Sequence, residues 1–245
     1  MTHESEHVVV GTTIPAYVLD QPDTWGSWLR NAEGMLEEHP NTSFFAALEV
    51  DSRGLEPFRP LLDRFDDLRT KGATVEHFVF LLDDGATEIT TGNRLRRITM
   101  GQNLVNDYCR SGNVDWLLFM AADCAPPADA IPELLKLNHP LVGGHVGTYV
   151  LDGPVVERYS GVHGDLIREH MATAAFVMLH RSIFNRIGWR WDRDMGMSDD
   201  PCLERDAKEF LSTPTYVHHG VIGKHYPETI GAIETRHTAE QRRIH

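Results

Sequence analysis

Four times before residue 125, an apolar run ends in an acidic or turn residue and gives way to a helix-forming stretch. The runs are Val8-Val9-Val10 into Thr12-Thr13, Phe44 to Leu48 into Glu49 and Asp51, Phe78 to Leu82 into Asp83-Asp84, and Trp116 to Met120 into Asp123. Strands alternating with amphipathic helices predict a doubly wound α/β sheet, mostly parallel and flanked by helices. In such sheets ligands lie beyond the carboxyl ends of the strands. Here those ends carry carboxylates, which points to a divalent cation and a phosphate-bearing ligand.

The helices between the runs read from apolar spacing. Residues 23–38 place Trp25, Trp28, Leu29, Ala32, Met35 and Leu36 at helical intervals, with Asp23 or Thr24 as cap. Residues 57–70 do so with Phe58, Leu61, Leu62, Phe65 and Leu68, and Gly72 follows as a stop. Pro57 and Pro60 restrict that helix to a start near them. The third helix, 91–110, is basic at its start through Arg94, Arg96 and Arg97. Pro126-Pro127 then breaks the chain before a short helix around Ile131, Leu134 and Leu135.

The later half is less regular. Residues 141–150 read as a strand interrupted at Gly143-Gly144, 152–170 as a loop, and 174–179 as a strand. Ser182 to Ile187 reads as a short helix, Pro201 to about Leu211 as another, and Thr215 to Val217 as a late strand. No linker separates two domains, so residues 1–245 are expected to form one.

With 41% hydrophobic and 24% charged residues, the chain has an ordinary globular composition. Its net charge of -13 opposes binding to a nucleic-acid backbone except through a local basic patch. Cys109, Cys124 and Cys202 form no C-x-x-C pair, which predicts reduced thiols and a cytoplasmic setting. Met1 to His7 lacks the pattern of a signal peptide, and no apolar run is long enough to span a bilayer.

Three places can carry chemistry. Asp123 closes the fourth run before a Pro-Pro turn, where a carboxylate either caps the turn or binds a hard cation such as Mg²⁺ or Mn²⁺. Asp199 and Asp200 precede Pro201, where Asp200 reads as an N-cap or as a functional carboxylate, the two being compatible because a cap residue can project into a cleft. His218, His219 and His225 crowd one late segment, as solvated histidines or as metal ligands. The run Arg94 to Arg97 is a solvated helix face or a counter-charge for a diphosphate, with Asn93 and Asn103 as added hydrogen-bonding groups.

These residues, in this order, resemble the GT-A glycosyltransferases of the family-2-like group. Gly11-Thr12-Thr13-Ile14-Pro15-Ala16-Tyr17 looks like the first nucleotide-binding strand and its turn. Phe44 to Asp51 resembles the second strand, whose terminal acid meets the base or ribose. Arg97 to Asn106 is similar to the Arg/Asn-bearing helix before the metal motif. Asp115 to Asp123 looks like the strand ending in D-x-D, with Ala121 in place of the first acid. Thr173 to Trp189, Ser198 to Leu203 and Tyr216 to His225 resemble the family's later elements.

The resemblance implies a GT-A-type single domain with a Rossmann-like sheet. Residues 8–125 would be the nucleotide-sugar half, 126–228 the acceptor half and 229–245 a polar tail. It implies a donor site at Thr13, Pro15, Asp51, Arg97, Asn103 and Asp123, and a Mn²⁺ or Mg²⁺ site at Asp123 and His225, with His219 as the alternative. Asp200 or Asp199 would be the general base, and the 152–170 loop a lid. The expected reaction moves a sugar from a UDP- or GDP-sugar to a protein, a glycan or a modified DNA base, with inversion. A nucleotidyltransferase would need a glycine-rich basic loop after the first strand, which Gly11 to Pro15 is not. A non-catalytic sugar-nucleotide-binding protein is the other alternative, suggested by the missing acid.

Overall fold

In the computed structural model, residues 5–15, 26–81, 91–148, 167–169, 175–192 and 199–225 are described. The side chains of 91–94, 147–148, 167–169 and 225 are outside that description. Expectations for Ala16, Tyr17, residues 23–25, Asp83, Asp84, most of 152–170, Thr173, Ala174, Ser198 and the 229–245 tail lie outside the described residues.

The first half is strictly alternating: β1 (Val8–Ile14), α1 (Ala32–Glu38), β2 (Thr42–Glu49), α2 (Arg59–Thr70), β3 (Thr74–Phe80), α3 (Thr91–Ser111) and β4 (Trp116–Met120). Short 3-10 turns at Ser27–Leu29 and Glu56–Phe58 lead into α1 and α2. Gly72 ends α2 at φ 89, a conformation that costs a glycine little. The second half carries β5 (Cys124–Ala125), α4 (Ala130–Leu135), β6 (Leu141–Thr148), β7 (Ile167–Glu169), β8 (Phe176–His180), α5 (Arg181–Phe184), α6 (Asp199–Leu211) and β9 (Tyr216–His225).

One nine-stranded sheet runs β3-β2-β1-β4-β8-β6-β9-β5, with β7 also pairing β9. The strand order reverses at β1, which has β2 on one side and β4 on the other, both parallel to it. Beyond β4 the sheet is mixed. β8 runs antiparallel to β4 and β6, β6 and β9 are parallel, and β5 and β7 pair antiparallel with β9. The mostly parallel expectation is therefore corrected to parallel in the first half and mixed in the second. The expected loop 152–170 also contains β7, a strand too short to show a period.

Successive residues of β1 feed opposite faces of the sheet. Val8, Val10 and Ile14 join the core under α1, α2 and α4, with Trp28, Met35, Phe65 and Ile131. Val9 joins the other core, under α3, α5 and α6, with Val105, Phe119, Phe184, Trp189 and Leu203. Burial on both faces is why β1, β2 and β4 read as unbroken apolar runs; the edge strand β3 spans Thr74–Phe80 rather than starting at Phe78, and much of it is exposed.

The expected break at Gly143-Gly144 is a bulge within a continuous ladder. Gly144 pairs with His218 and His145 with Ile222, so His219, Gly220 and Val221 are extra residues on β9. Gly144 and Gly223 are small for a visible reason. A Cβ at Gly144 would lie 2.2 Å from Phe176 Cε1, and one at Gly223 would lie 2.7 Å from Phe176 Cδ1.

Candidate functional site

Where the strand order of an open α/β sheet reverses, as it does at β1, a crevice is expected beyond the strand ends, here those of β1 and β4. Asp123 stands at that opening. The Cys124 N–H returns to the Ala121 carbonyl at 3.0 Å, so Ala122 and Asp123 form the middle of a tight turn. The turn is anchored on both sides. Ala121 N–H donates to the Ala175 carbonyl at 3.0 Å, and Trp28 N–H to the Ala122 carbonyl at 3.4 Å. Ala121, standing where the first acid of a D-x-D would be, is partly buried against the core.

Directly after the turn, Cys124 pairs with His225 and Ala125 with Lys224. The antiparallel register thus brings the backbone of the last described residue within one position of Asp123. Opposed residues in such a ladder have Cα atoms about 4.5–5.5 Å apart. Burial pushes the Cys124 thiol well up from its ordinary range, and the Asp123 charge pushes it further the same way. Among the described residues, no group of three His, Cys, Asp or Glu converges as a ready cation site. A carboxylate on a tight turn is an oxygen donor of the kind that hard divalent cations take, and the backbone of His225 lies one ladder position away. His219 lies elsewhere, in the β9 bulge, its ring 5.3 Å from that of His145.

The other expected donor residues are dispersed along the same edge. Thr13 and Pro15 are buried at the end of β1, and Thr13 Oγ1 has no hydrogen-bond partner among the described residues. α3 presses on this point, since a Cβ at Gly101 would fall 1.8 Å from Thr13 Oγ1. Arg97 Nη1 meets Glu49 Oε1 at 2.8 Å, with the Glu49 side chain only 2% exposed. The basic start of α3 is thus partly answered by the acid that closes β2. Asp51 is gripped by Arg53, whose Nη2 is 2.7 Å from Asp51 Oδ2. That hydrogen bond is the main reason the Asp51 carboxyl lies below its ordinary range.

Asn103 lies on α3 and bonds the backbone of Trp189. Its Nδ2 donates to the Trp189 carbonyl at 2.8 Å and its Oδ1 accepts the Trp189 N–H at 2.8 Å. Asn106 and Arg110 continue the latch, donating to the Ile187 and Phe184 carbonyls at 3.4 and 2.5 Å. These residues, spaced three and four apart on one helical face, tie α3 to the end of α5 and the segment after it.

Asp199 and Asp200 both lie in the first turn of α6, which begins at Asp199. Asp200 is therefore inside the helix rather than its N-cap. Pro201 is still tolerated, because first-turn N–H groups have no intrahelical acceptor to lose. Asp199 Oδ2 accepts from Gln102 Nε2 at 2.7 Å. Further along α6, Asp206 is held by a two-pronged Arg190 contact at 2.7 and 2.6 Å. Sequence reasoning passed over Gln102 and the Arg190–Asp206 pair. Gln102 did carry a signal: it interrupts the stripe Ile98, Val105, Cys109 on the face of α3 that turns inward.

The layered sheet, the reversal at β1 and the turn after β4 make up a GT-A-like fold. The chain is similar to the crystal structure of GalNAc-T7 with UDP, GalNAc and Mn²⁺, with a TM-score of 0.57 and 9% identity. The match covers 92% of this chain and 45% of that one, so the chain spans less than half the length of that protein. At this identity the likeness is one of fold. No protein-family model matches the chain, and no curated protein matches it. No helix among the described residues is long and apolar enough to cross a membrane.

Proposed function

We propose that this chain is a family-2-like, inverting glycosyltransferase that moves a sugar from a UDP- or GDP-sugar to an acceptor hydroxyl. The observation that carries the reading is the Cys124–His225 pairing, which sets a histidine beside the Asp123 turn at the crevice of a GT-A-like fold. The described half up to residue 125 would hold the donor and residues 126–228 the acceptor, which is a protein, a glycan or a modified DNA base. Three free, buried cysteines accord with a cytoplasmic setting.

Asp123 and His225 are the residues that would hold Mn²⁺ or Mg²⁺. When bound, such an ion supplies Lewis-acid neutralisation of the diphosphate leaving group. Thr13 and Pro15 would receive the nucleoside at the end of β1, with Asp51 and Arg97 beside them. Asn103 would stand beside them on α3, with its amide held by the Trp189 backbone. Asp199 or Asp200 takes the acceptor O–H proton as that oxygen bonds to the anomeric carbon. The carbon–oxygen bond to the diphosphate breaks, and its electron pair leaves with the nucleotide. Attack from the face opposite the leaving group inverts the anomeric centre.

The test is Asp123→Ala, assayed by thermal shift and sugar-nucleotide turnover with Mn²⁺. The wild type is expected to melt higher with UDP or GDP plus Mn²⁺, because a ligand bound only by the folded form stabilises it. The variant should keep its ligand-free melting temperature and lose both the shift and turnover. Full turnover in folded Asp123→Ala would overturn the assignment. Ala121 favours a second reading, a sugar-nucleotide-binding protein without transfer activity; it predicts a wild-type thermal shift with no turnover.

A further inference from the structure

We infer that Gln102 is a positioning residue that makes Asp199, rather than Asp200, the acceptor base; this rests on the glycosyl-transfer reading above. Gln102 is 1% exposed, in the middle of α3. Its neighbour Gly101 is the point where α3 meets Thr13 at the end of β1. Its Nε2 donates to Asp199 Oδ2 at 2.7 Å, across from α3 to the first turn of α6. The helix that packs against the end of β1 at Gly101 thus reaches the helix carrying the candidate bases through the neighbouring buried side chain.

The other end of the same amide is the second observation. Gln102 Oε1 is buried and has no hydrogen-bond partner among the described residues. A buried carbonyl without a partner bears its full desolvation cost. A methionine of similar length would fill the same space without that cost. The amide is thus of use at this position for its N–H, and that N–H goes to Asp199. The rest of α6 is fixed independently by the Arg190–Asp206 fork.

Holding Oδ2 restricts rotation of the Asp199 carboxylate and leaves Oδ1 to face the acceptor. The reacting group is then oriented before the acceptor arrives, which is where positioning lowers a barrier. The proton passes from the acceptor oxygen to Oδ1, the acceptor oxygen bonds to the anomeric carbon, and the nucleoside diphosphate departs with the electron pair.

The experiment is a double-mutant cycle of Gln102→Met and Asp199→Asn, with Asp200→Asn alongside, measured in the full chain with UDP- and GDP-sugars and Mn²⁺. Gln102→Met should lower kcat by about 10- to 100-fold and leave the donor KM within about twofold. Its melting temperature should be unchanged or higher. In the Asp199→Asn background the same change should lower kcat no further, because Gln102 acts through Asp199. Should Gln102→Met fail to fold, Gln102→Leu takes its place in the cycle. An unchanged kcat, losses that multiply in the double variant, or loss of turnover in Asp200→Asn but not Asp199→Asn would each overturn the inference while leaving glycosyl transfer standing. A wild type that turns over no UDP- or GDP-sugar would overturn the transfer reading and the base assignment together.

Discussion

Replacing Gly144 with alanine tests how tightly the second half of the sheet is fitted. The new Cβ would lie 2.2 Å from Phe176 Cε1 and 2.4 Å from Cδ1. Non-bonded carbons settle about 3.5–4.0 Å apart, so the ring must retreat by more than about 1 Å. It has little room to do so, because Phe176 is 0% exposed. Overpacking of this kind costs about 1–3 kcal/mol, and the rigid surroundings put the cost at the upper end, about 3 kcal/mol. Against it stands the gain of about 0.5–1 kcal/mol from replacing a strand glycine with alanine. The net loss is about 2 kcal/mol, or about 4–8 °C in Tm for a chain of this size. Thermal and urea denaturation measure it. Phe176→Leu should relieve part of the loss, so that the double variant is more stable than the two single effects predict. A Gly144→Ala variant that melts within about 1 °C of wild type would refute the reasoning.

Three further outcomes follow from the same physics. Arg97→Met removes the Arg97 guanidinium from the Glu49 carboxylate, 2% exposed, and should cost about 3 kcal/mol by urea denaturation; adding Glu49→Gln should recover much of it. Burial lowers the proton affinity of His77 and His180 below the ordinary value of 6.5, with Arg69 and Arg181 acting the same way and Asp66, Glu6 and Asp115 opposing. The folded chain then binds those protons less readily than the unfolded one, so stability is full above about pH 6.5 and falls as pH drops through the lower folded-state values. His180→Asn keeps a cap for the Ser182 N–H and should flatten that fall in denaturation midpoints between pH 7 and 5. Burial pushes the Cys109 thiol up to about 12 and raises Cys124 and Cys202, so native protein should react slowly with a disulfide reagent and expose all three thiols in guanidinium.

The parts of this fold visible in the sequence are those whose signal is local. Parallel strands buried on both faces, such as Phe44 to Leu48, must be apolar throughout, and Trp116 to Met120 likewise. α2 and α3 were legible because amphipathic spacing repeats over several turns. β5 was not: two residues, Cys124 and Ala125, have no period, and only the distant β9 makes them a strand. The Gly143-Gly144 interruption was visible as a pattern but not as a bulge, because its cause is Phe176 on another strand. At the site, Asp123 was legible as the acid closing a strand. The Asn103 latch, the Glu49–Arg97 pair and the Gln102–Asp199 bond depend on packing between distant elements, which no local pattern records.

The pairing of Cys124 with His225 ties together positions separated by most of the chain's second half. Closing so long a loop is entropically costly and is repaid only after the intervening strands are in place. Assembly of the crevice is therefore expected to be among the last events of folding. A shortened chain ending before β9 would retain the alternating first half yet lack the final staple, and the onset of turnover during refolding would serve as a clock for completion of the whole sheet.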